Sequence, residues 1–151
     1  MVTIKNTVRT IPVNIKKLKM DAQKLLDLLG YSDFDLGIWL TTNNTIRKYN
    51  RLYRKKDNPT DILSFPNYPN LRPGERINVK TLEEKDLGDI IISLEYGVRE
   101  AKQLEISLQK WLQQLLVHGV CHLLGYTHDT DEEYKKMQKK ETYLLTKLQR
   151  G

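Results

Sequence analysis

Apolar positions along the chain recur at two spacings, threes and fours in some stretches and twos in others, and these divide it into helices and strands. From Lys16 to Leu29 the residues Leu18, Ala22, Leu25, Leu26 and Leu29 fall on one helical face, and Gly30 is placed to stop the helix. Phe34 to Thr41 reads as a strand. Thr42 then caps a helix carrying Ile46, Tyr49, Asn50 and Tyr53, and Thr60 to Phe65 returns to strand character before Pro66. Residues 67–86 hold Pro69, Pro73, Gly74 and many charges, which predicts one long loop of the kind that often carries function. Leu87 to Ile92 is a short apolar strand, and Ser93 caps a helix running to about Leu104. Leu112, Leu115, Leu116, Gly119 and Leu123 mark a further helix from Leu108 toward Gly125 with a buried face. Thr130 and Glu133 form a capping box for a last helix to about Gln149. No repeat or linker-like stretch interrupts this order, so the pattern predicts one α+β domain over residues 1–151, a small mixed sheet packed with helices.

Composition narrows the class. A chain of 151 residues can bury a core without staples, so a bound metal would be free for function. The single cysteine, Cys121, cannot form an intramolecular disulfide, which argues for a reducing compartment. No apolar run approaches the roughly 20 residues of a membrane span, so no membrane partner is expected. The net charge of +6 favours a polyanionic partner such as RNA, although charge alone is a weak pointer.

The chemistry concentrates in one segment. All three histidines lie in His118-Gly-Val-Cys-His122-Leu-Leu-Gly125-Tyr-Thr-His128. His118 and His122, four apart, share one face of a helix turn. Gly125 can end that helix in a left-handed conformation and return His128 to the same point. Three imidazoles without a fourth protein ligand leave a position open for water, as in a catalytic zinc site at a helix end. Ordinary hydrogen-bonded histidines, or a structural zinc, are the alternatives; a structural site is usually closed by four ligands, and Cys121 points partly away from the shared face, as a small buried side chain would. The spacing also fits the zinc-protease pattern H-E-x-x-H-x-x-G-x-x-H, but Gly119 stands where that pattern has its general base. Peptide hydrolysis is therefore the second reading.

The segment His118 to His128 resembles the H-G-x-x-H-L-x-G-Y-x-H signature of the YbeY family of metal-dependent endoribonucleases. The block Asn50-Arg-Leu-Tyr53-Arg54-Lys-Lys-Asp57-Asn-Pro59-Thr60-Asp61-Ile-Leu63-Ser64-Phe65-Pro66 and the strand Leu87-Gly88-Asp89-Ile90 resemble two further family elements, in family order. The resemblance implies one zinc ion per chain, cleavage of single-stranded RNA in the maturation or quality control of small-subunit rRNA, and contact with the small ribosomal subunit and its proteins. Thr127 and Cys121 depart from the usual bacterial residues and resemble animal homologues that serve mitochondrial ribosomes. A mitochondrial location is thus expected for a eukaryotic chain and a cytoplasmic one otherwise. The first twenty residues carry Lys5, Arg9, Lys16, Lys17 and Lys19, which would suit import, yet the same stretch aligns with the family's first strand.

Zinc lowers the pKa of its water to about 7, so no glutamate base is required. Attack on a phosphodiester builds charge on phosphoryl oxygens, which a guanidinium meets with a planar fork. Arg54 is the candidate catalytic residue beside His118, His122 and His128. Composition alone would make it a solvated charge at a helix end, and its place in the family block favours the functional use. Arg51, Lys55 and Lys56 are candidates for flanking RNA phosphates or for a plain solvated face. Tyr49, Tyr53 and Phe65 have core-like spacing, with base stacking as the other use. Asp61 and Asp89 can either orient a ligand histidine or cap turns. A non-catalytic ribosome-assembly module that uses zinc for shape stays open, as does the oligomeric state.

Overall fold

In a computed structural model, residues 1–150 are described. The elements run β1 (Val2–Asn6), α1 (Ile15–Leu29), β2 (Asp35–Thr41), α2 (Asn43–Arg54), β3 (Ile62–Pro66), β4 (Asp86–Ser93), α3 (Leu94–Gln103), α4 (Leu108–Leu123) and α5 (Asp131–Arg150), with a single 3₁₀ turn at Leu82–Glu84. The caps follow the sequence. Asn14 accepts from the Lys17 amide, Thr42 from Thr45, Ser93 from Tyr96 and Ser107 from Lys110, each satisfying an amide that the first helical turn leaves free. Gly30 closes α1 at φ 80°, and the Thr130 hydroxyl and Glu133 close the capping box on α5.

The four strands lie in the order β1-β2-β4-β3. The first three are parallel, and β3 runs antiparallel to β4 at the sheet's edge. Pro66 belongs to β3, where it pairs with Gly88. The sequence reading stopped the strand one residue earlier, but an edge strand tolerates a proline because one side of it needs no N–H donor. The basic N-terminal stretch is built into the sheet: Val2 and Ile4 face inward while Thr3 and Lys5 face out, and β1 pairs along its whole length with β2.

One sheet face, bearing Leu36, Ile38, Leu40, Leu87, Ile90 and Ile92, packs into the main core with residues from α1, α4 and α5. α4 is the centre of this layer. It contacts α1, α3, α5, β3 and β4, and Trp111, Leu112, Leu116, Val117, Val120 and Cys121 are buried around most of its circumference. Such a helix is held by packing rather than by propensity, each fully buried leucine stabilising by about 1.5–3 kcal/mol. Trp111 lies against Gly97 of α3, where any Cβ would come within 2.3 Å of the indole ring. This locks the start of α4 and with it the direction in which its last two turns present their side chains. On the other sheet face α2 covers only the β3–β4 side, through Ile46 against Leu63 and Ile91. No helix among the described residues is long and apolar enough to cross a membrane.

Candidate metal centre

The last turns of α4 lie across β3 and β4 and project His118 and His122 from its one solvent-reaching face. The helix ends in a Schellman turn. Tyr126 donates its amide to the Cys121 carbonyl and Gly125 to that of His122, both at 3.1 Å, with Gly125 at φ 95°. A Cβ at Gly125 would stand 2.1 Å from the Leu71 carbonyl oxygen, so this position needs glycine both for its dihedral and for the approach of the long loop. The turn sends the chain back, and His128 comes to face the other two.

The Nε2 atoms of His118 and His122 are 3.0 Å apart, and one nitrogen from each of the three rings lies within 4.8 Å of the others. Two nitrogens bound to one tetrahedral zinc at 2.0–2.1 Å would stand about 3.3 Å apart, so the donor set fits such an ion. The outer nitrogens are held. His118 Nδ1 meets Glu141 Oε2 of α5 at 3.2 Å, and His122 Nδ1 meets the Tyr126 carbonyl at 2.9 Å. These contacts place the proton on Nδ1 and leave Nε2 free to bind. Burial and the neighbouring His118 push the His122 pKa down to about 4, which keeps that ring neutral. The Cys121 thiol is fully buried and pushed up to about 12 by burial and the nearby Glu141 charge, so it stays a thiol and no ligand.

Glu141 was not singled out in the sequence. A signal was there: Met137, Leu144 and Leu148 form the buried stripe of α5, and Glu141, four residues after Met137, interrupts it. Neither of the two acids considered for the orienting role bonds a histidine, although Asp61 lines the histidines' cleft. Asp61 accepts from its own neighbours, the Ile62 amide and the Thr60 hydroxyl, as a turn cap does, and Asp89 lies on the opposite face of the sheet.

The histidines open into a cleft of about 980 Å³ that Arg54 and Lys56 also line, together with Ser64 and Pro66 of β3. Arg54, the last residue of α2, donates from one guanidinium nitrogen to the Ser64 carbonyl at 2.9 Å and rests 5.5 Å over the Phe65 ring. It makes no other hydrogen bond among the described residues, which leaves further N–H groups unspent. Arg51 and Lys55 are not brought to the cleft. Arg51 turns toward Asp57, already held by Arg47 at 2.9 Å, and Lys55 closes α2 at φ 58°. Gly119 faces the sheet: a Cβ there would lie 2.8 Å from Ile62 Cδ1 and 2.9 Å from Ile90 Cδ1. A side chain at the position that carries the base in zinc proteases would point into the sheet and have to push both isoleucine ends aside.

Comparison with known proteins agrees over the whole chain. The family model described as Endoribonuclease YbeY matches residues 3–149. A human protein named Endoribonuclease YbeY is 37% identical over 147 residues, covering 97% of this chain and 87% of its own length. One from Aquifex aeolicus is 37% identical over 159 residues, with 100% and 99% covered, and one from Clostridioides difficile 39% over 135 residues, with 89% and 85%. The solution structure of TM1509 from Thermotoga maritima shares the fold at a TM-score of 0.59 and 21% identity, covering 99% of this chain and 93% of that one.

Proposed function

The chain belongs to the YbeY family of endoribonucleases, and from that premise we propose that it cuts single-stranded RNA in small-subunit rRNA maturation, using one zinc ion held by His118, His122 and His128. The observation that carries the reading is that an open three-histidine donor set and the partly unspent guanidinium of Arg54 share one cleft. When bound, zinc supplies Lewis acidity and an activated water near neutral pH.

The chain's own residues do the rest. Glu141 and the Tyr126 carbonyl hold two rings in the tautomer that offers Nε2 to the ion. Arg54, its plane fixed by Phe65 and the Ser64 carbonyl, meets the phosphoryl oxygens as their charge grows, and Lys56 holds a neighbouring phosphate. The closure of position 119 weighs against the protease reading. The proposal extends to contact with the small ribosomal subunit, and to the mitochondrion if the source is eukaryotic. Because β1 is part of the sheet, import would have to spare residues 2–6.

The test is cleavage of single-stranded RNA by highly purified, untagged protein whose zinc is measured by elemental analysis. Arg54→Ala is expected to keep fold and zinc while slowing cleavage about a hundredfold or more, and His122→Ala to lose both zinc and cleavage. Equal cleavage by wild type and both variants would refute the enzymatic reading.

A further inference from the structure

The face of the sheet turned away from the metal is only half covered, and what α2 leaves open is a groove of about 520 Å³. Its floor is the outward row Thr3, Gly37 and Asp89, in register across three strands, with Lys5 and Trp39 in the row beside it. Tyr49 and Tyr53 of α2 and Phe65 of β3 make the wall. The aromatic rings form a continuous chain: Trp39 to Tyr49 edge-on at 5.5 Å, Tyr49 to Tyr53 stacked at 6.1 Å, and Tyr53 to Phe65 edge-on at 5.2 Å. Lys5 Nζ stands 4.7 Å from the Trp39 ring centre.

Asp89 lies in this floor between Gly37 of β2 and Phe65 of β3. Its carboxylate is laid across Gly37, where a Cβ would come within 2.2 Å of Oδ1. Loss of water, with repulsion from Asp86, raises its pKa. The residue is exposed, so its acceptor oxygens are open to a ligand that brings donors.

We propose that this groove is a nucleobase subsite for the RNA, preferring guanine, whose ring packs on the aromatic wall while its adjacent N1–H and N2–H groups donate to Asp89. The proposal rests on RNA being the substrate. Aromatic faces accept any base, so the carboxylate sets the choice. An ionised carboxylate only accepts. On its pairing edge guanine alone offers two neighbouring donors, whereas adenine and cytosine set a lone pair beside their amine and uracil flanks its one N–H with carbonyls. Lys5 lies where a phosphate of the same nucleotide can reach it.

The groove and the cleavage cleft lie on either side of the edge strand β3. β3 is the edge strand, so Phe65 faces the groove while Ser64 and Pro66 line the metal cleft. Arg54, over Phe65 and bonded to Ser64, stands at the crossing. An RNA strand bent around this edge sets one base in the groove and passes its backbone by Arg54 toward the histidines.

The chain has two tryptophans, and Trp111 is 1% exposed, so quenching of indole fluorescence reports on Trp39. The experiment titrates the metal-loaded full chain with GMP and with UMP, neither of which has a phosphodiester to cut. GMP is expected to quench at concentrations about tenfold or more below UMP. Asp89→Asn, which replaces one acceptor by a donor, and Gly37→Ala, which displaces the carboxylate but keeps its charge, should each abolish the preference with unchanged circular dichroism. Absence of quenching by millimolar GMP, equal response to both nucleotides, or a preference that survives in both variants overturns the subsite. So does a Trp39 signal moved by a ribosomal protein and by neither nucleotide. Failure of the catalytic reading looks different: cleavage insensitive to Arg54→Ala with the Trp39 response intact.

Discussion

Removing Glu141 is the sharpest test of how the metal centre is held, because its one hydrogen bond among the described residues is to His118. Its carboxylate meets His118 Nδ1 at 3.2 Å from a helix packed along α4, with both side chains about a quarter exposed, at 27% and 24%. Losing such an outer partner typically lowers metal affinity about 10–100-fold, or roughly 1.4–2.7 kcal/mol. Glu141→Gln keeps a neutral acceptor and belongs near the lower figure, and Glu141→Ala near the upper. A partly exposed pair contributes little to folding itself, so the melting temperature of metal-free protein should move by less than the equivalent of about 1 kcal/mol. The assay is competition for zinc against a chromophoric chelator, with Glu132→Ala, on the exposed side of the same helix, as the control. Zinc affinity in Glu141→Ala within about threefold of wild type would refute the orienting role assigned to this contact.

Gly125→Ala is expected to lose zinc and to destabilise the fold by more than about 2 kcal/mol, since φ 95° and the Leu71 carbonyl both exclude a Cβ; circular dichroism melts and elemental analysis read the two effects. Metal-free protein should weaken in mild acid. His122 ionises at about 4 when folded and near 6.5 when unfolded, so the unfolded chain takes the proton first as pH falls. The stability this represents is complete above about pH 6.5 and is lost on the way down through about 4. With allowance for solvent contact it amounts to about 2 kcal/mol, and urea denaturation of wild type against His122→Asn at both ends of that range should differ by this amount. RNA affinity should fall steeply as salt rises, because a chain of net charge +6 gains binding free energy from released counterions; titrations at several salt concentrations measure the slope, and a flat response would detach the charge from RNA.

The elements that could be read from sequence are those whose own residues state both face and ends. α1 has its stripe and Gly30, α5 its capping box, and the helix starts at Thr42 and Ser93 are named by hydroxyls that cap in the structure. β1 offered only Val2 and Ile4 as inward positions, too few for periodicity to separate it from a basic leader, and only the family resemblance pointed to a strand. The three-histidine cluster was legible because helix spacing and one glycine decide where its members point. Glu141 was hidden for the opposite reason: its contact crosses from α5 to α4, and only the packing angle of two helices decides whether a carboxylate on that stripe meets a ring. The aromatic groove was obscured by the same kind of cause. Tyr49, Tyr53 and Phe65 have the spacing of core residues, and nothing local says that the sheet face they border ends without a covering helix.

Ligand spacing alone does not decide between a peptide and a phosphodiester as substrate; what α4 is packed against does. Because this helix lies on β3 and β4, the residue after His118 faces Ile62 and Ile90, and a carboxylate there would have to displace both side-chain ends and would point into the sheet rather than toward the proton that a peptide's leaving amine requires. The same strand that closes this position presents the Ser64 carbonyl and the Phe65 ring, and these fix Arg54 at the rim of the histidine cleft. A phosphodiester needs charge held on its non-bridging oxygens more than it needs a protonated amine, and a guanidinium supplies that. β3 therefore removes the feature that peptide hydrolysis would use and supplies the one that RNA cleavage would use, and both follow from its place at the edge of the sheet.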